Sequence, residues 1–253
     1  MRVTFLGTGT SQGVPVIGCS CDTCMSGDAR DKRLRSSVLV ESGDRVVVID
    51  TGPDFRQQML RAGVTRLDAV LYTHEHRDHI AGLDDIRAFN FIQKSSMDIY
   101  AEERVFRALT GMFPYVFAEK KYPGVPRVTV HTITDEPFMI GAMEVIPVRM
   151  MHYRLPVIGF RIGEFAYLTD GNYIPETEKE KLIGLKYLVV NALRKETHVS
   201  HFNLNQAVEL IRELSPRMGY ITHISHQMGP VELLVKELPP YVQPAYDGLV
   251  LEV

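Results

Sequence analysis

Between Thr73 and His79 the chain reads Thr-His-Glu-His-Arg-Asp-His, which puts three His and one Asp within six residues. The whole chain has 9 His in 253 residues, so this density is not an accident of composition. Neutral imidazole and carboxylate together suit zinc, manganese or iron. The cluster follows Ala69-Val-Leu-Tyr72, an apolar run that reads as a buried strand. In an extended segment residues i and i+2 share a face, so His74 and His76 can reach one ion together. A turn just beyond them could aim Asp78 and His79 at a second ion. Two neighbouring ions lower the pKa of a bridging water, so that hydroxide forms near neutral pH.

A second set of ligands is softer. Cys19, Cys21 and Cys24 are the only 3 cysteines, all within six residues. An odd count without a secretory start argues against a disulfide framework. A redox Cys-x-x-Cys usually opens a helix in a thioredoxin-like context. Here the cysteines sit in a loop of Gly, Ser and Asp, and a metal explains three close thiolates better. A closed structural zinc site takes four ligands, so one must come from elsewhere in the chain.

The elements that must position these groups alternate along the chain. Strands are predicted at 3–6, 37–40, 45–49 and 69–72. Asp50-Thr-Gly-Pro-Asp54 reads as a turn into a helix at 55–62, and 83–92 and 102–110 also read as helical. The middle is strand-rich, at 128–132, 143–148, 157–162 and 165–168. Then come strand 187–190, helix 204–214, strand 218–222, helix 231–236 and a last strand at 249–252. With no internal repeat or linker, residues 1–253 are expected to form a single domain. Strands and helices in both halves suggest an α/β (α+β) chain folded as a four-layer αββα sandwich. Periodicity alone does not distinguish this from a doubly wound sheet.

The net charge of −3 and pI of about 6.3 disfavour a nucleic-acid partner bound through a broad basic face. They leave room for a small phosphate-bearing ligand, which needs only one or two local cations. No apolar run approaches the ~18–20 residues of a membrane span. The opening Met1-Arg-Val-Thr-Phe-Leu-Gly7 reads as a strand rather than a signal peptide, so a cytoplasmic location is expected.

The spacing His74-x-His76-x-Asp78-His79 resembles the HxHxDH motif of the metallo-β-lactamase superfamily, and the likeness extends over nearly the whole chain. It implies the αββα sandwich, with a dinuclear site at one edge between the sheets. It also implies three distant ligands. His152 matches the third His, Asp170 in Leu168-Thr-Asp-Gly171 the bridging Asp, and His223 in Tyr220-Ile-Thr-His the last His. On that pattern His74, His76 and His152 hold one ion, Asp78, His79 and His223 the other, and Asp170 bridges. Asp50 would orient a ligand His.

A narrower group is also similar: the phosphoribosyl cyclic phosphate phosphodiesterase of bacterial phosphonate breakdown and its relatives. The carrying residues are Gly7-Thr-Gly-Thr-Ser11 and the Cys19-x-Cys21-x-x-Cys24 loop. The group pairs its cysteines with a His three residues after the last active-site ligand, here His226. It places its proton donor in a His-x-x-His stretch, here His198 to His201, with His201 the first candidate and His198 the second. Asp78 and His201 are thus the catalytic pair, and Arg194, after the strand at 187–190, is a candidate for pairing with a substrate phosphate.

The expected cofactors are two Mn or Zn ions in the active site and one structural Zn. The expected activity is hydrolysis of a small, cyclic phosphodiester by metal-hydroxide attack, with no membrane partner and a homodimer left open. The rival readings are a transfer-RNA 3′-processing nuclease, a thioester hydrolase, a β-lactamase and a cofactor-biosynthesis protein of the pyrroloquinoline quinone type. The nuclease would want a basic RNA-binding arm, and no such arm is evident.

Overall fold

The structure, a computed structural model, describes residues 1–253. In one sheet, strands β1 (Arg2–Gly7), β2 (Ser37–Ser42), β3 (Arg45–Ile49), β4 (Ala69–Leu71), β5 (Met97–Ala101) and β6 (Val128–Thr132) lie side by side in chain order. In the other, β7 (Phe138–Ile140), β8 (Met143–His152), β9 (Leu155–Ile162), β10 (Phe165–Leu168), β11 (Tyr187–Asn191), β12 (Met218–Thr222) and β13 (Val242–Pro244) do the same. The last strand, β14 (Val250–Glu252), returns to pair with β1.

Each sheet is half antiparallel and half parallel. β1 to β3 and β7 to β10 pair antiparallel. β3 to β6 and β10 to β13 pair parallel. The parallel strands explain the unbroken apolar runs Arg45-Val-Val-Val-Ile49 and Tyr187-Leu-Val-Val, because strands covered on both faces need no polar alternation. Val47 points into a central layer with Phe5, Leu71, Phe160 and Tyr167. Its neighbour Val48 points outward, against Phe55 and Met59 of helix α1 (Phe55–Ala62). The second sheet buries Val190 and Ile221 under Ala207, Leu210 and Ile211. These three lie on one stripe of a later helix, Leu204–Leu214, three or four residues apart as an amphipathic helix requires. The result is the four-layer αββα sandwich.

Some elements depart from the sequence expectation. The strand expected at 143–148 runs on to His152, so that ligand ends the strand rather than following it. The helical stretch at 83–92 is a 3₁₀ turn, Leu83–Ile86, followed by helix α2 (Arg87–Gln93). β5, β7 and β13 had no expectation. β7 and β13 have 3 residues each, too few to show a period. β5 does alternate buried and half-buried residues, and that signal was readable in Met-Asp-Ile-Tyr-Ala.

Candidate functional site

The residues singled out above gather where the parallel strands end. Asp50 follows β3, Thr73 to His79 follow β4, Asp170 follows β10, Asn191 closes β11 and His223 follows β12. Ligands of αβ sheets bind outside these carboxyl ends. Asp50, Asp170 and His223 all sit in the left-handed region, at φ 65, 60 and 55. Each such residue costs on the order of 1–3 kcal/mol and persists only where the surroundings over-determine it. The fixing bonds are visible. Asp50 donates its backbone N–H to Leu71 O at 2.8 Å, and the next residue after His223, Ile224, donates to Thr8 O at 2.9 Å. The turn after Asp170 is gripped by Asn191, whose Oδ1 accepts from Gly171 N at 2.7 Å while its Nδ2 donates to Gly171 O at 3.0 Å.

The donor atoms fall into overlapping groups. Asp78, His79, Asp170 and His223 have ligand atoms within 4.8 Å of one another, as do His74, His76 and Asp170, and again His152, Asp170 and His201. Asp170 belongs to all three. His152 therefore shares Asp170 with the other ligands but groups most tightly with His201. Its ring centroid is 5.0 Å from that of His76. The far nitrogens of several rings are already committed. His79 Nδ1 lies 2.7 Å from Asp50 Oδ2, His74 Nδ1 is 2.9 Å from Thr73 Oγ1, and His152 Nδ1 donates to Ser200 O at 2.7 Å. Asp50 in turn accepts from the Thr73 N–H and hydroxyl at 2.9 and 2.8 Å.

These bonds leave Nε2 of His74 and His79 fully buried with no hydrogen-bond partner. A buried orphan of this kind costs about 1–3 kcal/mol. Imidazoles fixed through one nitrogen and facing a carboxylate with the other fit a divalent cation.

Charge sharing in the cluster is strong. Burial pushes the Asp170 carboxyl up, but His223, His79 and His74 outweigh it and hold the group well below the usual carboxylate range. Burial disfavours a charged His79, yet Asp170, Asp78 and Asp50 hold that imidazole well above its ordinary value. Burial lowers His74, His76 and His223, which suits neutral ligands. It raises Asp50, which the hydrogen bonds from His79 and Thr73 oppose.

His201 and His198 stand on the segment before the Leu204–Leu214 helix. That helix is capped by Asn203 in a reciprocal pair with Gln206. Phe202 N donates to Gly171 O at 2.9 Å, which ties the segment to the Asp170 turn. The His201 ring is 4.5 Å from that of His152 and 5.0 Å from that of His223, centroid to centroid. Burial pushes His201 down to about 3, so the ring is neutral at neutral pH. His198 lies farther out, and burial lowers it too. Arg194 is not a free surface charge. It donates to Thr197 O at 3.0 Å and to Gln227 Oε1 at 3.3 Å, so it braces the His198–His201 loop. A phosphate would have to compete for it.

The three cysteines and His226 lie together. Ligand atoms of Cys19, Cys21, Cys24 and His226 lie within 4.8 Å of one another. His226 Nδ1 is 3.3 Å from Cys19 Sγ and 3.4 Å from Cys21 Sγ. The backbone N–H of Cys24 and the nearby His226 lower the Cys21 thiol to about 6. Thr10 N donates to Ile224 O at 3.2 Å, which brings the loop's base to the strand end carrying His223.

Sequence reasoning missed Thr73, Asn191 and Ser36, which lies 3.2 Å from His223 Nδ1. Asn191 carried a readable signal, as a polar residue closing an otherwise apolar strand. Ser36 carried none.

The profile described as the Beta-lactamase superfamily domain matches residues 45–224. The crystal structure of a new diphosphatase from the PhnP family superposes with a TM-score of 0.93 at 42% identity, covering 100% of this chain and 97% of that one. Zn(2+)-bound PqqB from Methylobacterium extorquens superposes at 0.79 with 21% identity and full coverage of both chains, which speaks to the fold alone. An octanoyltransferase of Porphyromonas gingivalis is 42% identical over 253 residues, covering 98% of this chain and 51% of that protein. The chain thus spans about half the length of that curated relative. No helix is long and apolar enough to cross a membrane. Matched over most of its length by the family profile, and over all of it by the diphosphatase, the chain belongs to the metallo-β-lactamase superfamily and, within it, to the PhnP family.

Proposed function

We propose that the protein is a dinuclear metal-dependent hydrolase of small phosphodiesters. The observation that carries the reading is Asp170, a buried carboxylate shared by two His-rich donor groups, in which the buried Nε2 atoms of His74 and His79 make no hydrogen bond and face carboxylates, His79 Nε2 lying 3.2 Å from Asp78 and 3.4 Å from Asp170. His74 and His76 with Asp170 would hold one ion, completed by His152. Asp78, His79 and His223 with Asp170 would hold the other. Divalent ions bound there supply an acidified water and neutralise charge on a phosphoryl oxygen. Cys19, Cys21, Cys24 and His226 would hold a structural zinc.

The chain's own residues do the rest. Asp50 and Thr73 fix the rings of His79 and His74 before substrate arrives. His201 stands beside His152 and His223, where it can give a proton to the leaving oxygen, a step typically worth about 10²–10⁴-fold. Its neutral resting state demands a lift. An anionic phosphoryl group beside the ring favours the charged form and provides it.

A second reading has its own observation: the Porphyromonas gingivalis relative bears an acyl-transfer name, octanoyltransferase. Hydrolysis of an acyl thioester at the same ions would follow from it. One panel separates the two. Metal-reconstituted protein is assayed against a cyclic ribose phosphate, 2′,3′-cyclic nucleotides, a diphosphate ester, bis-nitrophenyl phosphate and an octanoyl thioester. Turnover confined to the phosphorus esters supports the proposal. Turnover of the thioester alone replaces it with the second reading.

A further inference from the structure

β8 and β9 are joined by a hairpin of two residues, because His152 pairs with Leu155 across the turn. Tyr153 and Arg154 are those two residues. Tyr153 has φ 58, the left-handed region, while Arg154 has no positive φ. A two-residue hairpin with a positive φ at its first position ordinarily takes Gly there, since any Cβ is strained. A tyrosine is an unfavourable choice for the turn itself. Nor does the core recover the cost, for Tyr153 is 52% exposed. A residue that suits neither backbone nor packing points to a role for its side chain.

The location indicates the role. Tyr153 directly follows His152, and with Arg154, Leu155, Val199 and Ser200 it lines the cleft that opens onto His76 and His152. The Arg154 guanidinium carbon lies 5.2 Å from the Tyr153 ring centroid, within cation–π range. Asn172 fastens this turn to the far wall. Its Oδ1 accepts from Tyr153 N at 2.8 Å and its Nδ2 donates to Val199 O at 2.9 Å. Val199 is itself 62% exposed. The mouth therefore presents an aromatic face backed by a cation and, across it, an aliphatic side chain, with one asparagine bonding the backbone on both sides.

We infer that Tyr153, backed by Arg154, is a specificity-determining platform on which a planar nucleobase of the substrate stacks, so that the preferred phosphodiester carries a nucleoside. The inference rests on the phosphodiesterase reading above and narrows its substrate class. A ring is sequence-tolerant towards bases, because every base has a π-face. The platform therefore selects for a base without choosing which one.

The experiment compares Tyr153→Gly and Tyr153→Phe with the wild-type holoenzyme on 2′,3′-cyclic AMP and on a cyclic ribose phosphate without a base. Glycine suits the turn, so the variant is expected to fold at least as well as wild type, which a thermal melt checks. In Tyr153→Gly, KM for cyclic AMP should rise about tenfold or more relative to KM for the base-free ester, the scale of one lost base–aromatic stack. Tyr153→Phe should restore the ratio, since it keeps the ring. An unchanged KM ratio in a folded Tyr153→Gly overturns the platform. Calorimetric binding of AMP against ribose 5-phosphate keeps the test separate from turnover. Tighter AMP binding that Tyr153→Gly abolishes supports the platform even if no phosphodiester is hydrolysed, an outcome that would reject only the activity. Equal binding of the two ligands by wild type overturns the platform while leaving the activity standing.

Discussion

At the scale of single residues, Asp170 concentrates the site. It is buried, lies in a left-handed turn, and belongs to every His-containing donor group of the cluster. Asp170→Ala should lose at least one ion by elemental analysis and nearly all hydrolysis. Full metal content with full activity would falsify the bridging role. His201 makes a subtler case, because it shares a donor group with His152 and Asp170 yet is assigned to neither ion. A ribose alkoxide leaves poorly unless protonated, whereas a nitrophenolate leaves readily. His201→Ala should therefore lose orders of magnitude on a cyclic ribose phosphate, much less on bis-nitrophenyl phosphate, and should retain both ions. Equal losses on the two esters would make the residue a stabiliser of transition-state charge instead. The ligands were legible because imidazoles at short spacing have few other uses. Of their supports, Asp50 was expected and Asn191 carried a signal, while Ser36 carried none. Thr73 touches the ring of its neighbour His74 and the carboxylate of Asp50, whereas Asn191 and Ser36 act on groups that the fold, not the chain, brings near. An ordinary Ser gives no sign of such an appointment.

At the scale of elements, the turn after β3 and the short helical turn Arg77–Ile80 are packed backbone against backbone. A Cβ built on Gly52 would stand 2.1 Å from the Asp78 carbonyl oxygen. Gly82 N also donates to Thr51 O at 2.8 Å across the same contact. Gly52→Ala should therefore push the Asp78–His79 turn out of place. A lower melting temperature should accompany a loss of bound metal, read on the same sample by scanning calorimetry and elemental analysis. A variant with native ion content and melting point would show that the turn yields at little cost. In the sequence, Asp50-Thr-Gly-Pro-Asp54 declared a turn, and the helix it leads into was readable to the residue from its apolar spacing and the Gly63 stop. The close approach to Asp78 was invisible, since nothing local records what lies opposite a glycine. The strand ending in His152 was under-read for a related reason. Arg149, Met150 and Met151 look irregular alone and become a strand by pairing with β9.

At the scale of the whole molecule, the candidate ligands come from both sheets. His74, His76, Asp78 and His79 follow a strand of the first, while His152 ends a strand of the second and Asp170 and His223 follow two others. Apolar runs in both halves suggested a sandwich and the resemblance set it apart from a doubly wound sheet, but which edge the two sheets share around the donor groups depends on β10 to β13 pairing in parallel. The cysteine site spans the molecule differently, joining residues 19–24 to His226. Because a metal that binds only the folded chain stabilises it by mass action, Cys21→Ser should lower the melting temperature by several degrees. A melt superimposable on wild type would remove the structural zinc from the account. His223 and His226 occupy opposite ends of one four-residue bend, one in each donor group, with Ile224 between them hydrogen-bonded to Thr8 and Thr10. A shift at one end of that bend would reach the other. Under zinc scarcity, a chain that has lost the ion at the cysteine end would slacken the ring at the other, and turnover would fail while the protein was still folded and abundant. Enzymatic output, rather than protein level, would then be the first gauge of the cell's zinc supply.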